Sequence, residues 1–167
     1  ALLALGAKIA RPMLLMSVAA AMSLGTFAYL YKGNRFSKAI LSLERKKEPF
    51  GSGAFWLASG LLLALSFVSN EAYLLAVLSA LFFGDSMATI IGINLGKHPL
   101  PYSSGKSVEG SLSYFAVVLA VAYPFVGFSA FVFAALGSLF ESLPLKIDDN
   151  FLVSVVLVAA ALALSMV

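Results

Sequence analysis

The chain has 167 residues, of which 61% are apolar, and it carries only 11 Lys or Arg and 8 Asp or Glu. Soluble domains carry about 25% charged residues, whereas this chain carries 11%, too few to cover a soluble surface of its size. This composition excludes a water-soluble enzyme, a nucleic-acid-binding module and a disordered chain. It predicts an all-α integral membrane protein that forms one domain over residues 1–167. The lack of Cys also excludes disulfides and thiolate metal sites.

Five apolar runs follow one another along the chain. They cover residues 12–31, 49–70, 72–96, 110–140 and 151–167, and Asp85 is the one charge that they contain. The fourth run is too long for a single tilted span, and Pro124 and Gly127 near its middle predict a turn between spans at about 108–125 and 127–143. We therefore predict about six transmembrane helices in one bundle. Residues 1–11 fit either an extension of the first helix or a truncated N-terminus.

Charge placement predicts the orientation of these helices. The first polar loop, residues 32–48, contains six Lys or Arg and is expected to be cytoplasmic. A plain positive loop is favoured there over an amphipathic interfacial helix. Six spans place the loops 97–109 and 141–150 on the same side, so nearly all ionisable groups gather at one face. This distribution indicates that the protein acts on a water-soluble molecule from the cytoplasm.

Asp85 lies well inside an apolar run, where a carboxylate is costly unless a partner or a water-filled cavity compensates it. It accompanies a stripe of small residues that recurs at every fourth position. The stripe comprises Gly84, Ala88, Gly92 and Gly96. This spacing is equally typical of a packing face between helices, in one chain or in a homodimer, and of a backbone that a ligand approaches closely.

The loop 97–109 contains Gly105-Lys106-Ser107, which resembles the end of a P-loop. It is not a P-loop, because Leu100 replaces the first glycine of that motif and a membrane helix precedes it in place of a strand. A flexible glycine, a lysine, hydroxyl groups and the N–H groups of the next helix nevertheless suit a phosphate. A structural loop with Ser107 as a helix cap explains the same residues equally well.

Acidic residues cluster before the last apolar run, at Glu141 and in Asp148-Asp149-Asn150. Helix capping explains one acid in this position but not three within ten residues. Carboxylate oxygens suit Mg²⁺, which is usually held by one or two carboxylates together with substrate phosphates. Asp85, Asp148 and Asp149 are therefore candidates to hold the metal of a nucleotide. Glu141 is a candidate to orient or deprotonate an acceptor hydroxyl.

The polar motifs form an ordered set over residues 84–154. The set comprises Gly84-Asp85, Ala88, Gly92, Gly96, Leu100-Pro101-Tyr102, Lys106-Ser107, Glu109-Gly110-Ser111, Glu141-Ser142-Leu143-Pro144 and Asp148-Asp149-Asn150. In order and spacing it resembles the CTP-dependent lipid-alcohol kinases, the family of dolichol kinase, phytol kinase and yeast-type diacylglycerol kinase. The chain looks like a compact prokaryote-type member, and it departs from the family at Ser154, where proline is common.

The resemblance implies transfer of the γ-phosphate of CTP to the hydroxyl of a membrane lipid alcohol, with Mg²⁺ as cofactor. The alcohol would be a polyprenol such as dolichol, phytol or geranylgeraniol, or diacylglycerol. The catalytic residues implied are Asp85, Lys106, Glu109 and Glu141, where either glutamate is the candidate base. The nucleotide-binding residues implied are Gly96, Lys97, Gly105, Lys106, Ser107 and Asn150. The metal ligands implied are Asp85, Asp148 and Asp149.

Two other functions fit the same sequence. The middle motif is also similar to that of the CDP-diacylglycerol synthases, which implies a CTP-dependent cytidylyltransferase as an alternative. A small transporter with Asp85 as an intramembrane ion site is the second alternative. In each case we expect a multi-pass protein of a prokaryotic cell membrane, with its active site facing the cytoplasm and no nucleic-acid partner.

Overall fold

The computed structural model describes residues 11–23, 52–103, 105–145 and 148–166. Within these residues the chain is helical and has no strand, so the predicted all-α class is confirmed. The chain packs as two compact units, residues 1–62 and 63–167, and every predicted site residue lies in the second unit. The basic loop 32–48, with the interfacial helix considered for it, lies outside the described residues.

The described helices are labelled in chain order. They are α1 (11–23), α2 (Ser52–Phe67), α3 (Glu71–Ser79), α4 (Asp85–Leu95), α5 (Val108–Val126), α6 (Ala130–Ser142) and α7 (Asp149–Leu164). A π-helix, Ala80–Gly84, joins α3 to α4, and a 3₁₀ turn, Gly127–Ser129, joins α5 to α6.

The stretch from α3 through α4 begins at a capped N-terminus and continues through the π-helix. The side chain of Asn70 accepts hydrogen bonds from the backbone N–H groups of Ala72 at 3.0 Å and Tyr73 at 3.3 Å, which satisfies two donors that the first turn leaves open. The π-helix then changes the residue count per turn immediately before Asp85. Such π segments are rare and frequently lie at functional sites.

Helices α5 and α6 form an antiparallel hairpin. Gly127 ends α5 with φ +55°, a backbone conformation that favours glycine, and the helix continues through Pro124 up to that point. Ser138 Oγ on α6 donates to the carbonyl of Ser111 on α5 at 2.8 Å, which fixes the register of the two helices. The predicted turn within the fourth apolar run is therefore confirmed.

The core of the second unit lies among α3, α5, α6 and α7. Its largest fully buried side chains include Tyr114, Val118, Phe133 and Leu157. The stripe of small residues packs against Gly110 on α5, where a Cβ atom would lie 3.0 Å from the Ala88 carbonyl oxygen and 3.4 Å from the Gly92 Cα atom. Part of the stripe thus serves as a packing face between two helices of the same chain.

By length and composition, two stretches of consecutive helical residues could cross a membrane, Glu71–Leu95 and Val108–Ser142. The second stretch includes the turn between α5 and α6. The apolar helices Phe55–Phe67 and Asp149–Ser165 are shorter than the roughly 20 residues that cross a bilayer core. The prediction of six spans therefore goes further than the described residues support. Of the predicted first span, residues 24–31 lie outside the described residues.

Candidate active site

The loop between α4 and α5 is folded on itself by backbone hydrogen bonds. The N–H of Leu100 donates to the Lys106 carbonyl at 3.0 Å, and the N–H of Val108 donates to the His98 carbonyl at 2.9 Å. Gly105 has φ +114°, a conformation that side-chain-bearing residues rarely adopt. The loop therefore holds Lys106 at a defined position directly before α5.

The Lys106 ammonium group joins the loop to two helices. Its Nζ donates one hydrogen bond to the Glu141 carboxylate at the end of α6 and another, of 2.7 Å, to Asp149 Oδ2 at the start of α7. Burial alone lowers the pKa of Lys106, but the hydrogen bonds and charges of Asp149 and Glu141 outweigh burial and raise that pKa above its ordinary value. Lys106 is therefore a cation at physiological pH.

A small pocket opens beside this ion pair. It is lined by Ala80, Leu81, Asp85, Tyr114, Glu141, Asp149, Asn150 and Val153. Three of these residues are carboxylates that come from three separate helices. The cavity volume is about 10 Å³, which is room for about one water molecule or hydroxyl group. It has no room for a nucleoside triphosphate.

Tyr114 forms one wall of the pocket and was not among the predicted site residues. Its side chain is 1% exposed, and its hydroxyl has no hydrogen-bond partner among the described residues. Glycines flank the ring on both sides: a Cβ atom on Gly84 or on Gly137 would lie 2.6 Å from a ring carbon. No signal in the sequence distinguishes Tyr114 from an apolar helix residue, because its surroundings depend on three helices packing together.

The first turn of α7 contributes both a cap and site residues. Asp148 is the N-cap and accepts a hydrogen bond of 3.1 Å from the Asn150 N–H, and Asp149 Oδ1 accepts from the same group at 3.1 Å. The capping role proposed for this cluster is thus performed by Asp148. Asp149 and Asn150 in addition line the pocket, whereas Asp148 is not one of its lining residues.

The other predicted loop residues lie away from the pocket lining. Ser107 is the N-cap of α5 and accepts a hydrogen bond from the Gly110 N–H at 3.1 Å. Glu109 binds the exposed His98, with 2.5 Å between its Oε1 and the imidazole Nδ1. Gly96 and Lys97 are exposed at the end of α4. The structure therefore separates the two candidate bases, because Glu141 lines the pocket and Glu109 does not.

The predicted metal ligands come together only in part. Among the described residues, no group of three His, Cys, Asp or Glu side chains is placed to hold one metal ion. Asp85 and Asp149 nevertheless line the same pocket. Mg²⁺ is commonly held by one or two carboxylates while substrate phosphates and waters complete its coordination. The chemistry of this donor pair fits a metal that arrives with a nucleotide. Asp148 is not part of this pair.

Comparison with known proteins finds one relevant similarity. The chain is 34% identical over 113 residues to the uncharacterized protein MJ1137 of Methanocaldococcus jannaschii, and the match covers 66% of this chain and 58% of that protein. The chain thus matches less than two thirds of its relative's length. No protein-family model matches the sequence, and no solved structure matches it.

Proposed function

We propose that this protein is a CTP-dependent kinase that transfers the γ-phosphate of CTP to the hydroxyl of a membrane lipid alcohol. One observation carries the proposal: Lys106 binds Glu141 and Asp149 at a pocket that Asp85 and Asn150 also line. A cation, an acceptor for a proton and a pair of carboxylates are the groups that phosphoryl transfer requires. They meet here although they are distant in sequence.

Each residue of the site has a role in this proposal. Lys106 binds a phosphate of the nucleotide, and Asn150 positions the nucleotide beside the start of α7. Asp85 and Asp149 would hold Mg²⁺, which would neutralise phosphate charge when it is bound. Glu141 is the base, and it is preferred to Glu109 because only Glu141 lines the pocket.

The resting ion pair couples substrate binding to the chemistry. An incoming phosphate competes with Glu141 for the Lys106 ammonium, and its arrival leaves the Glu141 carboxylate able to accept a proton. The alcohol oxygen then bonds to the γ-phosphorus while the bond from that phosphorus to the oxygen bridging the β-phosphate breaks. The alcohol proton passes to Glu141, and CDP leaves together with the lipid monophosphate.

The location proposed is a prokaryotic cell membrane, in which about six helices cross the bilayer and the site faces the cytoplasm. Large apolar side chains on the described helices support contact with lipid, since Ile93 on α4 is 77% exposed and Leu112 on α5 is 62% exposed. The similarity to an archaeal protein supports a prokaryotic source. CTP then approaches from the cytoplasm and the alcohol approaches laterally from the bilayer.

The test follows the fate of two labels. Purified protein in lipid nanodiscs is incubated with Mg²⁺ and CTP labelled at either the α- or the γ-phosphorus, together with polyprenol, phytol or diacylglycerol. We expect the γ-label in a lipid monophosphate and the α-label in CDP. In a parallel incubation with phosphatidic acid as the acceptor, transfer of the α-label to the lipid with release of pyrophosphate would instead identify a cytidylyltransferase.

Two controls complete this experiment. ATP replaces CTP in a parallel series, because no residue of the pocket identifies the base. The Glu71→Gln variant, which alters an exposed carboxylate at the start of α3, should match the wild-type rate. If no label reaches any lipid with either nucleotide, while the same preparation carries ions across liposome membranes, the kinase proposal is wrong and the transporter alternative replaces it.

A further inference from the structure

The charge of the pocket indicates what enters it. Asp85, Glu141 and Asp149 contribute three carboxylates, and Lys106 contributes one ammonium group. A bare phosphate would meet net negative charge inside this pocket, whereas a neutral hydroxyl would find acceptors for its proton. The remaining walls include the apolar side chains of Ala80, Leu81 and Val153.

Tyr114 supplies a hydrogen-bond donor to the same space. Its hydroxyl is buried without a partner among the described residues, and leaving such a group unsatisfied is costly. The ring has little freedom to turn away, because Gly84 and Gly137 approach it from α3–α4 and from α6. A donor that is held rigidly at a pocket wall, with no partner among the described residues, is a candidate to bind a ligand.

We infer that Tyr114 is a substrate-binding residue, whose hydroxyl donates a hydrogen bond to the oxygen of the acceptor alcohol in this pocket. The alcohol in turn donates its own hydrogen to Glu141. This inference rests on the proposed kinase function and adds to it the subsite for the acceptor. The nucleotide phosphates lie next to this hydroxyl, on the Lys106 side of the pocket.

The first experiment compares Tyr114→Phe with Tyr123→Phe, a matched control on the same helix whose side chain is 46% exposed. Rates are measured in nanodiscs with farnesol as the acceptor. We expect Tyr114→Phe to raise the KM for farnesol by about 3- to 10-fold, the range that loss of one hydrogen bond produces, and to leave the KM for CTP unchanged. Tyr123→Phe should change neither constant. An unchanged KM for farnesol in Tyr114→Phe would overturn the inference.

A second experiment measures binding without turnover. The thermal shift of the detergent-solubilised protein is recorded with farnesol and with farnesene, a hydrocarbon of the same chain length that lacks the hydroxyl. Wild-type protein should be stabilised more by farnesol, and Tyr114→Phe should lose most of that preference. Absence of the preference in the wild-type protein would overturn the acceptor subsite. Failure of the kinase proposal would give a different result: farnesol would bind with this preference but would not be phosphorylated.

Discussion

Lys106 and Asp149 are joined by a hydrogen bond of 2.7 Å although 43 residues separate them in the sequence. Between them the chain forms the whole α5–α6 hairpin and returns to the same end of it. The contact therefore depends on the hairpin having the correct length and register. It also makes the phosphate-binding lysine of the proposed mechanism part of the packing of the second unit.

Removing the lysine should affect both activity and stability. Lys106→Ala is expected to lower lipid phosphorylation about 100-fold or more, as for loss of a group that stabilises the charge of the transition state. It should also lower the free energy of unfolding by about 1–3 kcal/mol, because Glu141, whose side chain is 6% exposed, loses its charged partner. Rates and unfolding curves of the purified variant measure the two effects.

The double variant Lys106→Ala/Glu141→Gln separates these effects. Neutralising the buried carboxylate should restore most of the lost stability, while the activity stays absent. Restored activity in the double variant would mean that Lys106 acts only as a structural partner of Glu141.

Asp85 should be required for activity but not for folding. Asp85→Asn keeps the shape of the side chain and removes the charge that we assign to metal binding, so phosphorylation should fall about 100-fold or more. Insertion into membranes and the thermal unfolding profile should stay close to wild type. The Glu71→Gln variant provides the control for charge removal on the same helical stretch. Wild-type activity in Asp85→Asn would refute the assignment.

The two candidate bases can be distinguished directly. Glu141→Gln should lower the rate by about 10²- to 10⁴-fold, the usual contribution of a general base. Glu109→Gln should leave the rate within a few-fold of wild type, because Glu109 binds His98 and does not line the pocket. The turnover number with saturating CTP is the measurement. The reverse order of the two effects would move the proposed base to Glu109.

Two glycines should respond oppositely to the same substitution. Gly137→Ala places a methyl group 2.6 Å from the Tyr114 ring, so overpacking should cost about 1–3 kcal/mol of stability. Gly92→Ala meets no atom closer than 3.5 Å, so it should be neutral or stabilising by up to about 1 kcal/mol, as for an alanine that replaces glycine within a helix. Unfolding in detergent measures both. Equal destabilisation would contradict the packing described for α4 and α6.

Membrane topology can be tested with introduced thiols, since the chain contains no Cys. The loops at 97–109 and 141–150 are expected on one side, but Ser103 and Ser142 are only 5% and 2% exposed and would label poorly. Lys97→Cys and Leu145→Cys are exposed alternatives at the same end of the hairpin. These two thiols should label from the cytoplasmic side. Phe128, in the turn between α5 and α6, is 80% exposed, and a thiol introduced as Phe128→Cys should label from the other side. Labelling of the first two from opposite sides would exclude the predicted orientation.

The fold was partly predictable because apolar runs and turn residues act locally. The helical class follows from composition, and Gly127 identifies the turn between α5 and α6 because its backbone conformation favours glycine. The π-helix before Asp85 was not predictable, since Ala80–Gly84 fits an ordinary apolar helix equally well. Six spans were predicted, whereas two stretches of the described residues are long and apolar enough to cross a membrane.

The site was predictable where residue type alone indicates chemistry. Charged groups at Asp85, Lys106, Glu141 and Asp149 are conspicuous in an apolar chain. The three carboxylates line the pocket, and Lys106 pairs with two of them. Tyr114 was missed because a tyrosine within an apolar helix has no distinctive pattern. The pairing of Glu109 with His98 was also missed, because it depends on how the loop folds back against the first turn of α5.

The π-helix sets the direction in which the Asp85 side chain leaves the helix, relative to the side chains of α3. A π turn takes up about one residue more than an α turn, so deletion of one residue within Ala80–Gly84 would let the stretch continue as a regular α-helix with Asp85 on nearly the same face. If the same five residues instead became regular α-helix with no deletion, everything from Asp85 onward would rotate by about 100° relative to α3. Asp85 would still be present, but either it or the helix before it would leave the pocket. The placement of this carboxylate thus depends on the helix geometry before it as well as on residue identity, and it is sensitive to changes that straighten Ala80–Gly84 while leaving every charged group of the chain in place.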